Sequence, residues 1–238
     1  SIADFPELPI RGIAMGLQWF AAYPKALRRM ADWKMNFIHN GGSFLSGKLG
    51  KNGWSQPFTE ADIDVLKKYL TACRAYFIEP MLSFGPRGTP LFSYSSTEDI
   101  GKINDKITTL YQIGYRLFAL NFDDLQNIGQ EGLNSEADRQ AFSSVAEAHV
   151  HFATEVHKHV QSLSGASLRL LPLWYGPFEQ NLPKQLEYLQ TLAKVPGDVG
   201  ITYCEARDAG LAASTEFLKR STLPLVWDNF FASFSDKG

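Results

Sequence analysis

Residues 116–125 read "RLFALNFDDL", an apolar run that begins at Leu117 and stops at two adjacent acids, Asp123 and Asp124. A stretch that is apolar at nearly every position, rather than at every second one, suits a strand covered on both faces. Strands of that kind belong to parallel sheets flanked by helices. The run therefore predicts a parallel α/β protein, and the two carboxylates at its end raise the question of what they are for.

Six further runs share its character: "PIRGIAMG" at 9–16, "NFIHNGG" at 36–42, "FIEPMLSFG" at 77–85, "LRLLPLWYG" at 168–176, "DVGITYCE" at 198–205 and "LPLVWDN" at 223–229. Helical segments lie between them. Thr59 with Asp62 opens "TEADIDVLKKYLTACRAY", and Ser96 with Asp99 opens "STEDIGKINDKITTLYQIG"; each places a capping hydroxyl three residues ahead of an acid. In the second segment Ile100, Ile103, Ile107 and Leu110 repeat on one helical face and Gly114 follows as a stop. Alternating strands and helices imply crossover connections, since parallel neighbours cannot be joined by a tight hairpin.

Seven such units in one chain favour a TIM-type (β/α) barrel over an open doubly wound sheet. The glycine signature of a dinucleotide fold is absent from "RGIAMG". A full barrel has eight strands, so the expectation is a single barrel domain over 1–238 with seven strands visible and the eighth missing or truncated. Pro80, inside the third run, cannot donate to a sheet ladder. The Gly-rich stretch 41–57 reads as a long loop after the second strand, where barrels carry function.

Composition narrows the function classes. A net charge of -2 with no basic stripe removes the electrostatic footprint of a nucleic-acid binder, and no apolar run approaches a membrane span. Cys73 and Cys204 give neither a disulfide framework nor a zinc pattern and read as buried thiols. The first residues carry no secretion signal, which leaves the compartment open, as is the oligomeric state. No cofactor is implied.

In a barrel the residues at the carboxyl ends of the strands converge on one site. Those ends supply Gly16, His39 with Asn40, Phe84 with Gly85, Asp123 with Asp124, Trp174 with Tyr175, Tyr203 to Glu205, and Trp227 to Asn229. Aromatic faces stack on sugar faces while carboxylates and amides bind hydroxyls, so a carbohydrate pocket fits this set. Two carboxylates held together cannot both ionise freely, and the one kept protonated can deliver its proton to a glycosidic oxygen. A helix cap, a turn or a magnesium site would also use such a pair.

"GYRLFALNFDDL", followed by "ADRQAFSSVAEAHVHFATEVHKHV", resembles the catalytic domain of the O-GlcNAcase and bacterial hyaluronidase-like β-N-acetylglucosaminidase family. The likeness extends through "IRGIAMG", "WKMNFIHN", "FIEPMLSFGPRG" with its Pro-Gly turn, "LLPLWYG" and the Trp-Asp-Asn of "PLVWDN". The resemblance implies hydrolysis with retention, in which the sugar's own acetamido oxygen attacks the anomeric carbon to give an oxazoline. It implies that Asp123 orients the acetamido N–H, that Asp124 is general acid and then base, that Tyr175 binds the acetamido oxygen and that Asn229 binds sugar hydroxyls. The substrate would be a carbohydrate or glycoprotein.

Three strand ends depart from the family pattern. "MGLQW" keeps only Gly16 of Glu-Gly-Phe-Tyr-Gly, a position near Ser43 replaces a sugar-binding lysine, and Tyr203-Cys204-Glu205 replaces Trp-Thr-Gly. Tyr203 would wall the acetamido pocket and Asp208 would contact a hydroxyl. Recognition of the outer hydroxyls is where this chain would differ.

Rival readings attach to other residues. His149, His151, His157 and His159 invite a metal, but i and i+2 diverge on a helix, so a solvated or partly buried helix face is expected and no metal. His39 lines the pocket or is a satisfied core histidine. Trp19, Trp33 and Trp54 read as core or loop packing, and Asp228 as an orienting residue beside Trp227. Two other functions compete with the glycosidase: a sugar-binding protein of the same fold that has lost turnover, and a magnesium-dependent lyase or aldolase using Asp123 and Asp124 as ligands.

Overall fold

A computed structural model describes residues 9–15, 23–40, 53–123, 125, 129–174, 182–204 and 225–227. Six strands pair parallel in chain order: β1 (Gly12–Met15), β2 (Phe37–Asn40), β3 (Glu79–Phe84), β4 (Leu117–Asn121), β5 (Ser167–Leu171) and β6 (Gly200–Cys204). A three-residue segment, β7 (Leu225–Trp227), runs parallel beside β6. The order never reverses. A doubly wound sheet must reverse, whereas right-handed crossovers that always advance in one direction leave every helix on the same face. The result is a parallel α/β sheet curled into a partial TIM-like barrel, helices outside.

The helices are α1 (Tyr23–Asp32), α2 (Glu60–Ala75), α3 (Thr97–Ile113), α4 (Glu136–Ala141), α5 (Val145–Gln161) and α6 (Leu182–Leu192). Their starts follow the sequence. Thr59 caps α2 in a full capping box, its backbone N–H donating to Asp62 Oδ2 at 2.7 Å while Asp62 N–H returns to Thr59 Oγ1 at 3.3 Å. Ser96 caps α3, and Gly114 ends it at φ 124, a backbone state that disfavours a side chain. Ile100, Ile103, Ile107 and Leu110 form the buried face of α3 as their spacing predicts. The segment after the acid pair is broken into α4 and α5, because Ser135 and Ser144 each cap a separate helix.

Strand alternation gives the sheet two different faces. Ile38, Leu82, Phe84, Phe118, Leu120, Leu168, Leu170 and Ile201 join the large core under the helices. Residues of opposite parity point inward. There Phe37, Met81 and Ala119, with Ile10 and Leu117 packed on them, make a second small apolar cluster. His39, Ser83, Asn121, Arg169 and Thr202 share the inward parity, so the inner face turns polar toward the strands' carboxyl ends.

The four histidines lie on a partly buried rather than a solvated helix face: His149 is fully buried, and His157 is 5% exposed with Nε2 2.9 Å from Asp198 Oδ1. Trp33 packs into no core and stands 68% exposed in the turn after α1. Trp54 is core, edge-on to Phe92, and Cys73 is a buried thiol whose pKa burial pushes up to about 12. Pro80 is accommodated as the second residue of β3. Trp19 lies outside the described residues.

Candidate active site

The end of β4 organises the site. Phe122 N–H donates to Leu171 O at 2.9 Å, which carries the chain one residue further along β5 before it turns. Asp123 thereby keeps the parity of Ala119 and Asn121 and comes out on the inner face, 8% exposed. Its Oδ1 accepts from Arg87 Nη2 at 2.9 Å. Arg87 sits in the loop that follows β3, the neighbouring strand, and is itself largely buried.

That loop is tied on both sides. Gly88 N–H donates to Gln130 Oε1 at 2.9 Å, and Gln130 Nε2 returns to Gly88 O at 3.1 Å. Trp54 Nε1 donates to Pro90 O at 3.0 Å. The Arg87 guanidinium fills the space beside Gly85, where a Cβ would stand 2.7 Å from Arg87 Nε. Further along, Asp138 is wholly buried and accepts from Ser93 Oγ, Tyr94 N–H, and both Ser95 N–H and Ser95 Oγ, all within 3.1 Å. Burial opposes its ionisation, but these donors outweigh burial and hold its pKa below the usual carboxylate value.

Beneath Asp123 the inner face is polar. Asn121 and Thr202 are buried, and among the described residues neither Asn121 Oδ1 nor Thr202 Oγ1 has a hydrogen-bond partner. His39 is 5% exposed; burial first, and the charge of Arg169 second, push its pKa down to about 4, so it is neutral at pH 7. Arg169 lies over Gly200, where a Cβ would come within 3.0 Å of Arg169 Cγ.

On the other side of the strand, His149 stacks on Phe122, with ring centroids 3.7 Å apart. Its Nδ1 is 2.9 Å from the Tyr188 hydroxyl and its Nε2 3.2 Å from that of Tyr94. Tyr188 in turn accepts from Leu173 N–H at 3.1 Å, one residue before Trp174, which packs edge-on to Tyr188. Burial pushes the pKa of His149 down to about 3, so the ring is a neutral connector between the ends of β4 and β5.

The structure thus sorts the residues singled out from sequence. Asp123 and His39 face inward. Asn40 does not: its Oδ1 accepts from the buried Tyr69 hydroxyl of α2 at 3.0 Å, because adjacent strand residues point to opposite faces. The expectation that Asn40 lines the pocket is corrected on that ground. Tyr203 and Trp227 lie on β6 and β7, with side chains outside the described residues. Gly16, Asp124, Tyr175, Asp208, Asp228 and Asn229 also lie outside them. Arg87, Gln130, Asp138 and the His149 relay were not read from the sequence. Their partners Asp123, Gly88, Ser93 and Tyr188 lie between 36 and 45 residues away, so no local spacing announces them. Among the described residues no three potential metal ligands converge, and no helix is long and apolar enough to cross a membrane.

Comparison with known proteins decides the family. The model of the beta-N-acetylglucosaminidase family matches residues 47–233, which takes in both the Asp123-Asp124 and Trp227-Asp228-Asn229 motifs. The chain belongs to the beta-N-acetylglucosaminidase family. As a member of it, the chain is 24% identical over 233 residues to Protein O-GlcNAcase of Rattus norvegicus, and equally to that of Mus musculus, covering 93% of this chain and 24% of each relative. It thus spans about a quarter of the length of those curated relatives. Among solved structures, an O-GlcNAc hydrolase variant from Thermobaculum terrenum superposes with a TM-score of 0.77 at 21% identity, over 93% of this chain and 48% of that one. That likeness shows the fold of this beta-N-acetylglucosaminidase-family chain.

Proposed function

We propose that the protein is a retaining glycosidase with a TIM-type barrel, which removes terminal β-linked N-acetylglucosamine, or a related 2-acetamido sugar, from a glycoprotein or polysaccharide by substrate-assisted catalysis. The acetamido oxygen attacks the anomeric carbon as the glycosidic bond breaks, and Asp124 gives its proton to the departing oxygen. The oxazolinium so formed shares its N–H with the Asp123 carboxylate. Water then opens the ring while Asp124 takes a proton back, and two inversions leave the configuration retained. An internal nucleophile has its approach entropy already spent. Tyr175 would donate to the acetamido oxygen, Asn229 and Asp208 would bind hydroxyls, and Gly16, His39, Tyr203 and Trp227 would line the pocket.

The observation that carries this reading is Asp123: a carboxylate on the inner face at a strand's carboxyl end, paired with a guanidinium that favours its anionic form. Family membership supports the rest. The test is turnover of an aryl β-N-acetylglucosaminide beside the matching aryl β-glucoside, with the anomer formed first read by proton NMR. Cleavage of the acetamido sugar alone, β-product first and unaffected by chelator, is expected. Equal cleavage of the glucoside would overturn the reading, as would the α-product; binding without turnover would favour a carbohydrate-binding role instead.

A further inference from the structure

The segment "GPRG" resembles the family's Pro-Gly turn, and the guanidinium inside it donates to Asp123 Oδ1. We propose that Arg87 is a positioning residue for the reaction: it fixes the rotamer of Asp123 through Oδ1 and keeps that carboxylate ionised for the substrate amide. The inference rests on the role given to Asp123 under the proposed function.

Three independent features place Arg87 there. The reciprocal Gly88–Gln130 pair joins the residue after Arg87 to the segment that follows the acid pair, so guanidinium and carboxylate ride on one tied unit. Arg87 N–H donates to Gly85 O at 2.8 Å, a tight reversal that aims the side chain back over the strand end. Gly85 leaves the space that the guanidinium occupies. Arg87 Nε is buried, with no hydrogen-bond partner among the described residues, so the side chain is held by its Nη2 contact and by packing rather than by a full set of donors. Tyr94, whose hydroxyl burial pushes up, also lies within reach of the charges of Asp138 and Arg87. A guanidinium fork beside a carboxylate orients as well as charges it, which a lysine ammonium does less well.

The division of labour in an adjacent acid pair needs one member negative and the other protonated. Arg87 breaks the symmetry by contacting Asp123. Without it the two carboxyls would compete for one proton with less to separate them.

The experiment compares wild type with Arg87→Gln, Arg87→Lys and Gly85→Ala in two readouts. The first is the pH profile of kcat/KM on an aryl β-N-acetylglucosaminide. The second is carbon-detected NMR titration of the Asp123 carboxyl, assigned with Asp123→Asn, which needs no turnover. In Arg87→Gln the Asp123 midpoint and the acidic limb of the profile should move together toward higher pH. The loss in kcat/KM should be about tenfold at the acid end, where one pH unit of displacement is a factor of ten, and should shrink as pH rises. Arg87→Lys should recover part of the midpoint but less of kcat. Gly85→Ala, which crowds the guanidinium while leaving it in the chain, should move both readouts in the direction of Arg87→Gln. An unchanged Asp123 midpoint in Arg87→Gln would overturn the proposal, and so would a pH-independent loss of kcat in a folded variant. If wild type proves inactive, the proposed function fails while the titration still decides what Arg87 does to Asp123.

Discussion

His149 lies face to face with Phe122, the two rings 3.7 Å apart and 5° from parallel, directly behind the strand end from which Asp123 emerges. Both ring nitrogens of His149 are engaged by tyrosine hydroxyls, and through Tyr188 the contact reaches Leu173 on the neighbouring strand end. His149→Ala should therefore cost about 3 kcal/mol or more, from the cavity and from the two hydroxyls left without a partner. His149→Phe keeps the stack but not the hydrogen bonds and should cost less. Urea unfolding measures both; a change below roughly 0.5 kcal/mol in His149→Ala would show that the network is not holding the strands together.

Stability should fall on acidification through two buried histidines. Burial lowers the pKa of His39 to about 4 and of His149 to about 3, both below the value of about 6.5 they would have in the unfolded chain. The unfolded state then binds more protons than the native state. The stabilisation is complete above about pH 6.5 and is lost as pH falls toward the folded values, at up to about 1.4 kcal/mol per pH unit for each histidine. Unfolding curves between pH 7 and 5 check this. His149→Phe should remove about half of the slope, and an unchanged slope would refute the assignment.

Asp138 titrates in the opposite part of the scale. Its folded pKa is depressed, so its contribution is present above the unfolded value of about 4 and disappears as pH falls through the lower folded value. Asp138→Asn preserves shape but gives up the charge that four donors of the 93–95 loop converge on. A loss of about 2–3 kcal/mol at pH 7, narrowing below pH 4, is the expected result by denaturant titration.

The two acids of the pair should separate by leaving group. Asp124→Ala should abolish most activity on alkyl glycosides, whose leaving oxygen needs a proton, and spare much of it on activated aryl glycosides. Asp123→Asn should depress both, because in the proposed mechanism an oxazolinium forms in either case. Steady-state kinetics on the two substrate types decides between these roles, and equal losses in Asp124→Ala would remove it from the acid's position.

How far the sequence could be read depended on whether the partners were near or far along the chain. Thr59 with Asp62 and Ser96 with Asp99 lie within one turn of each other, and the caps stand where their spacing puts them. The uninterrupted apolar run of β4 announced a strand covered on both sides, and its outer residues do lie under the helices. Asn40 was misplaced for a simple reason: strand ends were read as points, although alternation forbids His39 and Asn40 from facing the same side. Arg87 was hidden inside a Pro-Gly turn, and its carboxylate partner is 36 residues away across a strand pair. The histidines of α5 looked alike in sequence because solvation depends on what packs over a helix, and α6 covers His149 through Tyr188.

The relay from Leu173 through Tyr188 and His149 to Tyr94 lies on the helix side of the sheet, yet it braces the segments that leave two adjacent strand tips opening on the other side. Libraries confined to side chains that touch a sugar would alter which groups are offered, not how far apart they stand. Substitutions at Tyr94, His149 and Tyr188 would reposition the segments that leave those tips without touching the inner face.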